Sequence, residues 1–251
     1  MIYKRAILTR QSRRSFKSEL PPIDKIRQIL DLVDQINEEN GLNIQVMVDE
    51  RDGFSGITAH YGLFTNVKNY IALVGNKDDE NIDEKLGYFG EQILLFCENL
   101  ELGTCWVGGT FDKAKCKCKV SENEVFNCAI AFGVPTNIVT PKEKLIRSTM
   151  HAIKKTKSIQ DLFYSEEEQP PNWFIEGMRM VQKAPSALNK MPVMFFYSGG
   201  SVYAQVKSPK TMELYDLGIA KFHFEVGADC GKFEFGNGGM FIKDVDKWKT
   251  L

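Results

Sequence analysis

The chain has 251 residues, 43% of them hydrophobic and 26% charged, which is enough apolar matter for a substantial core and excludes a disordered or fibrous polymer. Lys and Arg number 32 against 33 Asp and Glu, a formal charge of -1, so no positive surplus exists to neutralise a nucleic-acid backbone. No stretch reaches the roughly 18 apolar residues of a membrane span, the charged start MIYKRAILTRQSRRSF lacks the apolar centre of an export signal, and the expectation is a cytoplasmic protein whose six cysteines stay reduced.

The first clear element is a helix over 22–39, entered through Pro21 and Pro22, with Ile26, Ile29, Leu30, Val33 and Ile36 at helical spacing and Gly41 as its stop. Alternating Ile44, Val46 and Val48 predict a strand, and the apolar run 69–75 predicts a more buried one. A long helix follows over 83–102, where Leu86, Phe89, Ile93, Phe96, Cys97 and Leu100 make a stripe wide enough to run through the core. Gly87 and Gly90 inside it cost helix propensity, and the close approach of another backbone explains them. The candidate partner is a second apolar helix containing Leu214, Leu217, Gly218, Ile219, Phe222 and Val226, whose Leu217-Gly218 repeats Leu86-Gly87. Each helix precedes an apolar segment ending in glycines, TCWVGG at 104–109 and KFEFGNGG at 232–239. This weak repetition predicts two related halves, 1–164 and 165–251, joined by the acidic SEEEQPP and packed as one unit.

Four segments carry candidate chemistry. RQSRRSF at 10–16 closes a short amphipathic helix with guanidinium groups and a hydroxyl, suited to phosphate oxygens through Arg10, Ser12 and Arg14; the same residues also describe a solvated basic surface. KAPSALNKMPVMFFY at 183–197 sets Pro185, Ser186 and Asn189 just before a strand, where Ser and Asn groups address a planar ring's polar edge or simply close a turn. GTCWVGGTFD at 103–112 offers Gly108 and Gly109, whose amides reach a ligand with no Cβ in the way, or form a plain turn. Lys155 and Lys157 alternate in HAIKKTKSIQDLF and could deliver two ammonium groups to one phosphate.

Together and in this order, the four segments resemble the nitroreductase family of FMN-dependent oxidoreductases. RQSRRSF is similar to that family's R-x-S-x-R/K phosphate element, APSALNKMPV to A-P-S-x-x-N-x-Q-P with Met191 at the Gln, LELGTCWVGGTFD to G-L-G-x-x-W-x-G-G-F, and AIAFGVP at 129–135 to a strand ending in G-x-P. The A-P-S-x-x-N element stands at Pro185 instead of in the first third, the stretch 37–48 has no such motif, and the second half has no copy of RQSRRSF. That arrangement resembles the single-chain branch of the family, in which two halves imitate a dimer and one FMN site remains.

The resemblance implies an α+β nitroreductase-like fold: a mixed, mainly antiparallel sheet with flanking helices, arranged as an internal pseudo-dimer in a monomer. It implies Arg10 and Ser12 at the FMN phosphate, with Lys155 and Lys157 in the place of the late K-x-R pair. Arg14 is implied at the pyrimidine edge, Pro185, Ser186 and Asn189 along the ring, and Gly108 and Gly109 toward N5 and the adjacent carbonyl. The implied reaction is hydride transfer from NADH or NADPH to flavin N5, followed by reduction of a small electron-poor acceptor such as a nitroaromatic or quinone, ping-pong, without a catalytic side chain or metal. A non-catalytic flavin carrier or sensor needs the same anchors and is the alternative. Val107, Trp106 and Phe111 either shape the ring face or belong to the core. Cys105, Cys116, Cys118 and Cys128 lack the C-x-x-C spacing of a zinc site, and His60, His151 and His223 have no ligand or triad spacing.

Overall fold

The computed structural model describes residues 2–54, 64–136, 144, 145, 148 and 156–243. Contacts divide the chain into two compact units, one of residues 9–82 and 93–150, the other of residues 1–8, 83–92 and 151–251. Antiparallel strand pairing with flanking helices makes the fold α+β, as expected. No described helix is long and apolar enough to cross a membrane.

Helix α1 (Ile2–Thr9) belongs, up to Leu8, to the unit of residues 1–8, 83–92 and 151–251; in the unit of residues 9–82 and 93–150, α2 (Ile23–Asn40) begins behind Pro22 and buries Ile26, Ile29, Val33 and Ile36. Leu30, expected in that stripe, lies at its edge and is 37% exposed. Gly41 ends the helix at φ +63°, its N–H reaching Asn37 O. Strands β1 (Gln45–Met47), β2 (Asn69–Asn76), β3 (Gly103–Val107) and β4 (Glu124–Gly133) form one sheet in the order β1-β2-β4-β3, every pair antiparallel. β2 is buried from Asn69 to Gly75, which is why its sequence reads as a continuous apolar run and not an alternation. Phe54, Phe64, Tyr70, Val107 and Phe126 form the core there. Phe111 stacks on Phe54 at 5.8 Å, so Val107 and Phe111 take the core role.

The other unit holds β5 (Phe163–Ser165), α4 (Asn172–Val181), β6 (Val193–Ser198), β7 (Ser201–Val206), α5 (Thr211–Ala228), β8 (Gly231–Phe233) and β9 (Phe241–Lys243). β6 and β7 form a hairpin through Gly199 and Gly200, at φ +56° and +83°, a turn that only glycine adopts cheaply twice in succession. β5 lies parallel to β6, with Phe163 opposite Phe195. The acidic stretch after Tyr164 therefore lies inside this unit, and the expected division at 164/165 does not coincide with the division into compact units.

Residues 83–92 of α3 (Ile82–Asn99) also belong here, and they meet α5 backbone to backbone. A methyl group on Gly87 would sit 2.3 Å from Tyr215 O, and one on Gly218 would sit 2.0 Å from Glu84 O. Each glycine thus faces the carbonyl three residues before the other, an arrangement with local two-fold character, and the reading of Gly87 holds.

Three polar contacts flank the crossing. Lys221 Nζ lies 2.6 Å from Glu84 Oε1 and donates to the carbonyls of Glu234 and Gly236 at 3.0 and 2.8 Å. Tyr88 OH donates to Glu225 Oε2 at 2.5 Å while Phe233 N donates to Oε1, and burial pushes the Glu225 carboxyl up to about 7. His223 is a fully buried, satisfied core histidine, its Nε2 2.9 Å from Glu91 Oε1 and its Nδ1 3.0 Å from Met180 O. A carbonyl only accepts, so Nδ1 carries a proton. His60 and His151 lie outside the described residues.

Gly218→Ala is expected to destabilise the protein by about 1–3 kcal/mol despite the better helix propensity of Ala, because the neighbouring backbone cannot yield as a side chain would. Gly109→Ala, where a methyl meets nothing within 4 Å, is the control and should leave stability within about 0.5 kcal/mol. Urea unfolding of the two variants checks this.

Candidate functional site

The basic segment at 10–16 does not continue α1 as a helix. It runs extended beside β3: Ser12 bridges Thr104 in parallel fashion, and Arg13 N donates to Thr104 O at 2.8 Å. Farther along, Thr65 N donates to Arg14 O at 2.8 Å and Lys17 N to Val134 O at 2.9 Å. Phe16 is buried and holds the end of the segment in the core. The arginines are thereby carried on pinned backbone.

Side chains gather on this frame. Arg10 Nη2 donates to Ser12 Oγ at 3.2 Å, and Arg13 Nη2 donates to the carbonyl and, at 3.3 Å, the hydroxyl of Thr136. Among the described residues, Arg10 Nε, Arg13 Nε and Thr104 Oγ1 are buried and have no hydrogen-bond partner. Buried polar atoms are nearly always paired, so unpaired ones on Arg10, Arg13 and Thr104 leave hydrogen-bonding capacity on this segment and on β3 beside it. Guanidinium has donors alone and hydroxyls can add theirs, a set that fits the oxygens of a phosphate. Gly108 and Gly109 form an exposed bend at the far end of β3, about 13 Å from Thr104 at strand spacing. One strand thus carries both features.

In the other unit, Pro185, Ser186 and Asn189 sit on a tight turn ahead of β6. Leu188, Asn189 and Met191 adopt φ of +53°, +53° and +47°, three left-handed non-glycine residues within four. Such strain persists only where surroundings over-determine it. Three contacts do so: Met191 N donates to Ser186 Oγ at 2.9 Å, Ala187 N to both oxygens of Asp216 at 2.9 and 3.2 Å, and Lys157 Nζ to Met191 O at 2.8 Å. Pro185, Ser186 and Asp216 line a shallow cleft that opens to solvent.

Lys157 therefore clamps the turn, whereas the sequence pattern set it at a phosphate; Lys155 lies outside the described residues. Sequence reasoning missed Arg13, Thr104 and Asp216. In the sequence Arg13 is one more member of a basic run, and Thr104 is only the first residue of TCWVGG. Asp216 did leave a signal, a carboxylate set between the apolar Tyr215 and Leu217. Its side chain is only 5% exposed, and burial pushes its carboxyl up to about 7.

With this geometry in place, comparison with known proteins is informative. A family model described as "Putative TM nitroreductase" matches residues 2–228. The crystal structure of a "putative nitroreductase" from Thermotoga maritima is 22% identical, covers 96% of this chain and 91% of that one, and superposes with a TM-score of 0.59, a likeness of fold. A nitroreductase with bound FMN from Desulfitobacterium hafniense is 16% identical over 56% of this chain and 92% of its own, with a TM-score of 0.46. No curated protein matches.

Thr104→Val replaces an unpaired buried hydroxyl with a methyl of the same shape. It is expected to raise the stability of ligand-free protein by about 1 kcal/mol in urea unfolding. Destabilisation would instead mean that the hydroxyl is satisfied within the chain.

Proposed function

Because the chain belongs to the nitroreductase family of oxidoreductases, we propose that it is an FMN-dependent enzyme that takes hydride from NADH or NADPH at flavin N5 and passes the electrons to a small electron-poor acceptor, a nitroaromatic or a quinone, in a ping-pong cycle. The observation that carries the reading is the donor cluster on β3 and its neighbour, where Arg10 and Thr104 present buried unpaired polar atoms beside Ser12. Arg10 and Ser12 hold the phosphate, with Arg13 and Thr104 completing the donor set. Arg14 supplies positive charge at the pyrimidine edge, where electron density grows on reduction. The turn of Pro185, Ser186 and Asn189 lines the ring, and the amides of Gly108 and Gly109 serve N5 and the adjacent carbonyl. Lys157 holds the turn through Met191 O, and its remaining donors, together with Lys155, form the late pair at the phosphate.

The reading extends to the whole chain. It is a monomer whose two halves imitate a dimer, supported by the reciprocal contact of Gly87 and Gly218 and by the single occurrence of each motif. Its working place is the cytoplasm. The chain's own residues supply binding, orientation and charge, and no side chain serves as nucleophile.

Two measurements test this. Protein purified without added cofactor should be yellow, and anaerobic NADH or NADPH should bleach the flavin band near about 450 nm; colour that persists favours a carrier. Arg10→Ala combined with Ser12→Ala should weaken FMN binding at least about tenfold, since charge-assisted bonds to phosphate are lost. Unchanged flavin content in that double variant removes the phosphate assignment.

A further inference from the structure

We propose that Asp216 is the positioning residue of the cofactor-facing turn: its carboxylate, by accepting the Ala187 N–H, holds residues 186–191 in the strained form that meets the flavin ring. The proposal rests on the reading of Pro185, Ser186 and Asn189 as ring contacts.

Three observations support it. Asp216 reaches the turn from a different element, α5, so it ties a loop of left-handed residues to the most buried helix of its unit. It lines the same cleft as Pro185 and Ser186. The third is an asymmetry between the two glycine helices. Asp216-Leu217-Gly218 stands where the other helix has Lys85-Leu86-Gly87, and the glycines of the two triplets are those that meet at the crossing. The half with Lys85 has no A-P-S-x-x-N turn, and the half with Asp216 has it. Carboxylate and turn occur together and are missing together, as expected if the one exists to hold the other. Lys85 instead stands over the Phe235 ring at 5.6 Å.

The charges facing Asp216 come from both elements packed around it. Burial raises its pKa most, the Ala187 N–H lowers it, Glu213 on its own helix raises it, and Lys190 on the turn lowers it, leaving it at about 7. Lys190 and Glu213 are themselves 3.8 Å apart. Above that pH the ionised group accepts with a charge-assisted bond; below it the bond becomes neutral and weaker. Two trends then run in opposite directions. The folded pKa exceeds the unfolded value of 3.8, so the stability linked to the protonated group is present at low pH and is lost as pH rises through about 7. Flavin affinity attributable to the turn rises over the same interval. A carboxylate of purely structural importance would move both the same way.

The experiment compares wild type with Asp216→Asn and Asp216→Ala in two readouts. The first is amide hydrogen exchange of the 184–192 peptide in flavin-free protein. Asp216→Ala should speed exchange by at least about tenfold, and Asp216→Asn, which keeps an acceptor, should restore most of the protection. The second is FMN affinity from about pH 5.5 to 8.5, read as the ratio of wild type to Asp216→Asn so that the cofactor's own phosphate titration cancels. The ratio should rise several-fold with pH across about 7. Unchanged exchange in Asp216→Ala, or a ratio flat with pH, overturns the proposal. Should Asp216→Ala fail to fold, Asp216→Asn alone still decides through the pH ratio. If wild-type protein takes up no FMN, the flavin reading falls, while the exchange data still decide whether Asp216 holds the turn.

Discussion

The contact on which the unit of residues 1–8, 83–92 and 151–251 depends is the meeting of α3 and α5 at Gly87 and Gly218, where each glycine leaves room for the other helix's carbonyl. Helices normally stand 8–10 Å apart because side chains separate them, and removing two side chains lets backbones touch. That closeness has a second effect. Long polar side chains flanking the crossing become trapped, and each has to find its partner inside the protein. Glu84 finds Lys221, Tyr88 finds Glu225, and Glu91 finds His223. Replacing such pairs by apolar residues often costs nothing, but removing one member leaves a buried charge alone. In this unit the pairs act as a register: slide one helix by a turn and all three mismatch.

A rigid base of this kind matters for the turn above it. Leu188, Asn189 and Met191 occupy left-handed backbone conformations, which Asn tolerates but Leu and Met avoid. The compensation comes from elsewhere: a hydroxyl of the turn, an ammonium from upstream, and a carboxylate from α5. Because α5 is locked by the crossing, the carboxylate is locked too. The order of this turn is thus traced to two glycines that lie outside it.

The basic segment in the other unit follows the same logic with different means. Ser12 to Lys17 has no helix to rely on and is pinned instead by backbone bonds to Thr104, Thr65 and Val134, with Phe16 as its anchor. Guanidinium groups on such a frame lose less freedom on meeting an anion than they would on a mobile arm. Arg10 is steered further by Ser12, its neighbour two residues on.

Much of this was legible in the chain. The apolar spacing of α2, the buried run of β2, the glycine-marked helix pair and the motif order follow from periodicity and local chemistry, which are properties of neighbours in sequence. Helix ends moved by a few residues, from 83–102 expected to Ile82–Asn99 observed. Leu30 turned out half-exposed, because a stripe's edge depends on what packs against it. The expected division at 164/165 falls inside β5, whose pairing with β6 farther along the chain leaves no mark in local composition. Lys157 was placed by motif alone, and the direction of its ammonium depends on Met191, 34 residues away. The amino-acid sequence by itself determined the helices, the strands, the family-like motifs and the absence of a second turn motif. Only tertiary structure decided that the segment of Ser12 and Arg13 lies against Thr104, and that Asp216 holds Ala187, because burial and hydrogen-bond partnership arise between residues far apart in the chain and leave no periodic trace within it.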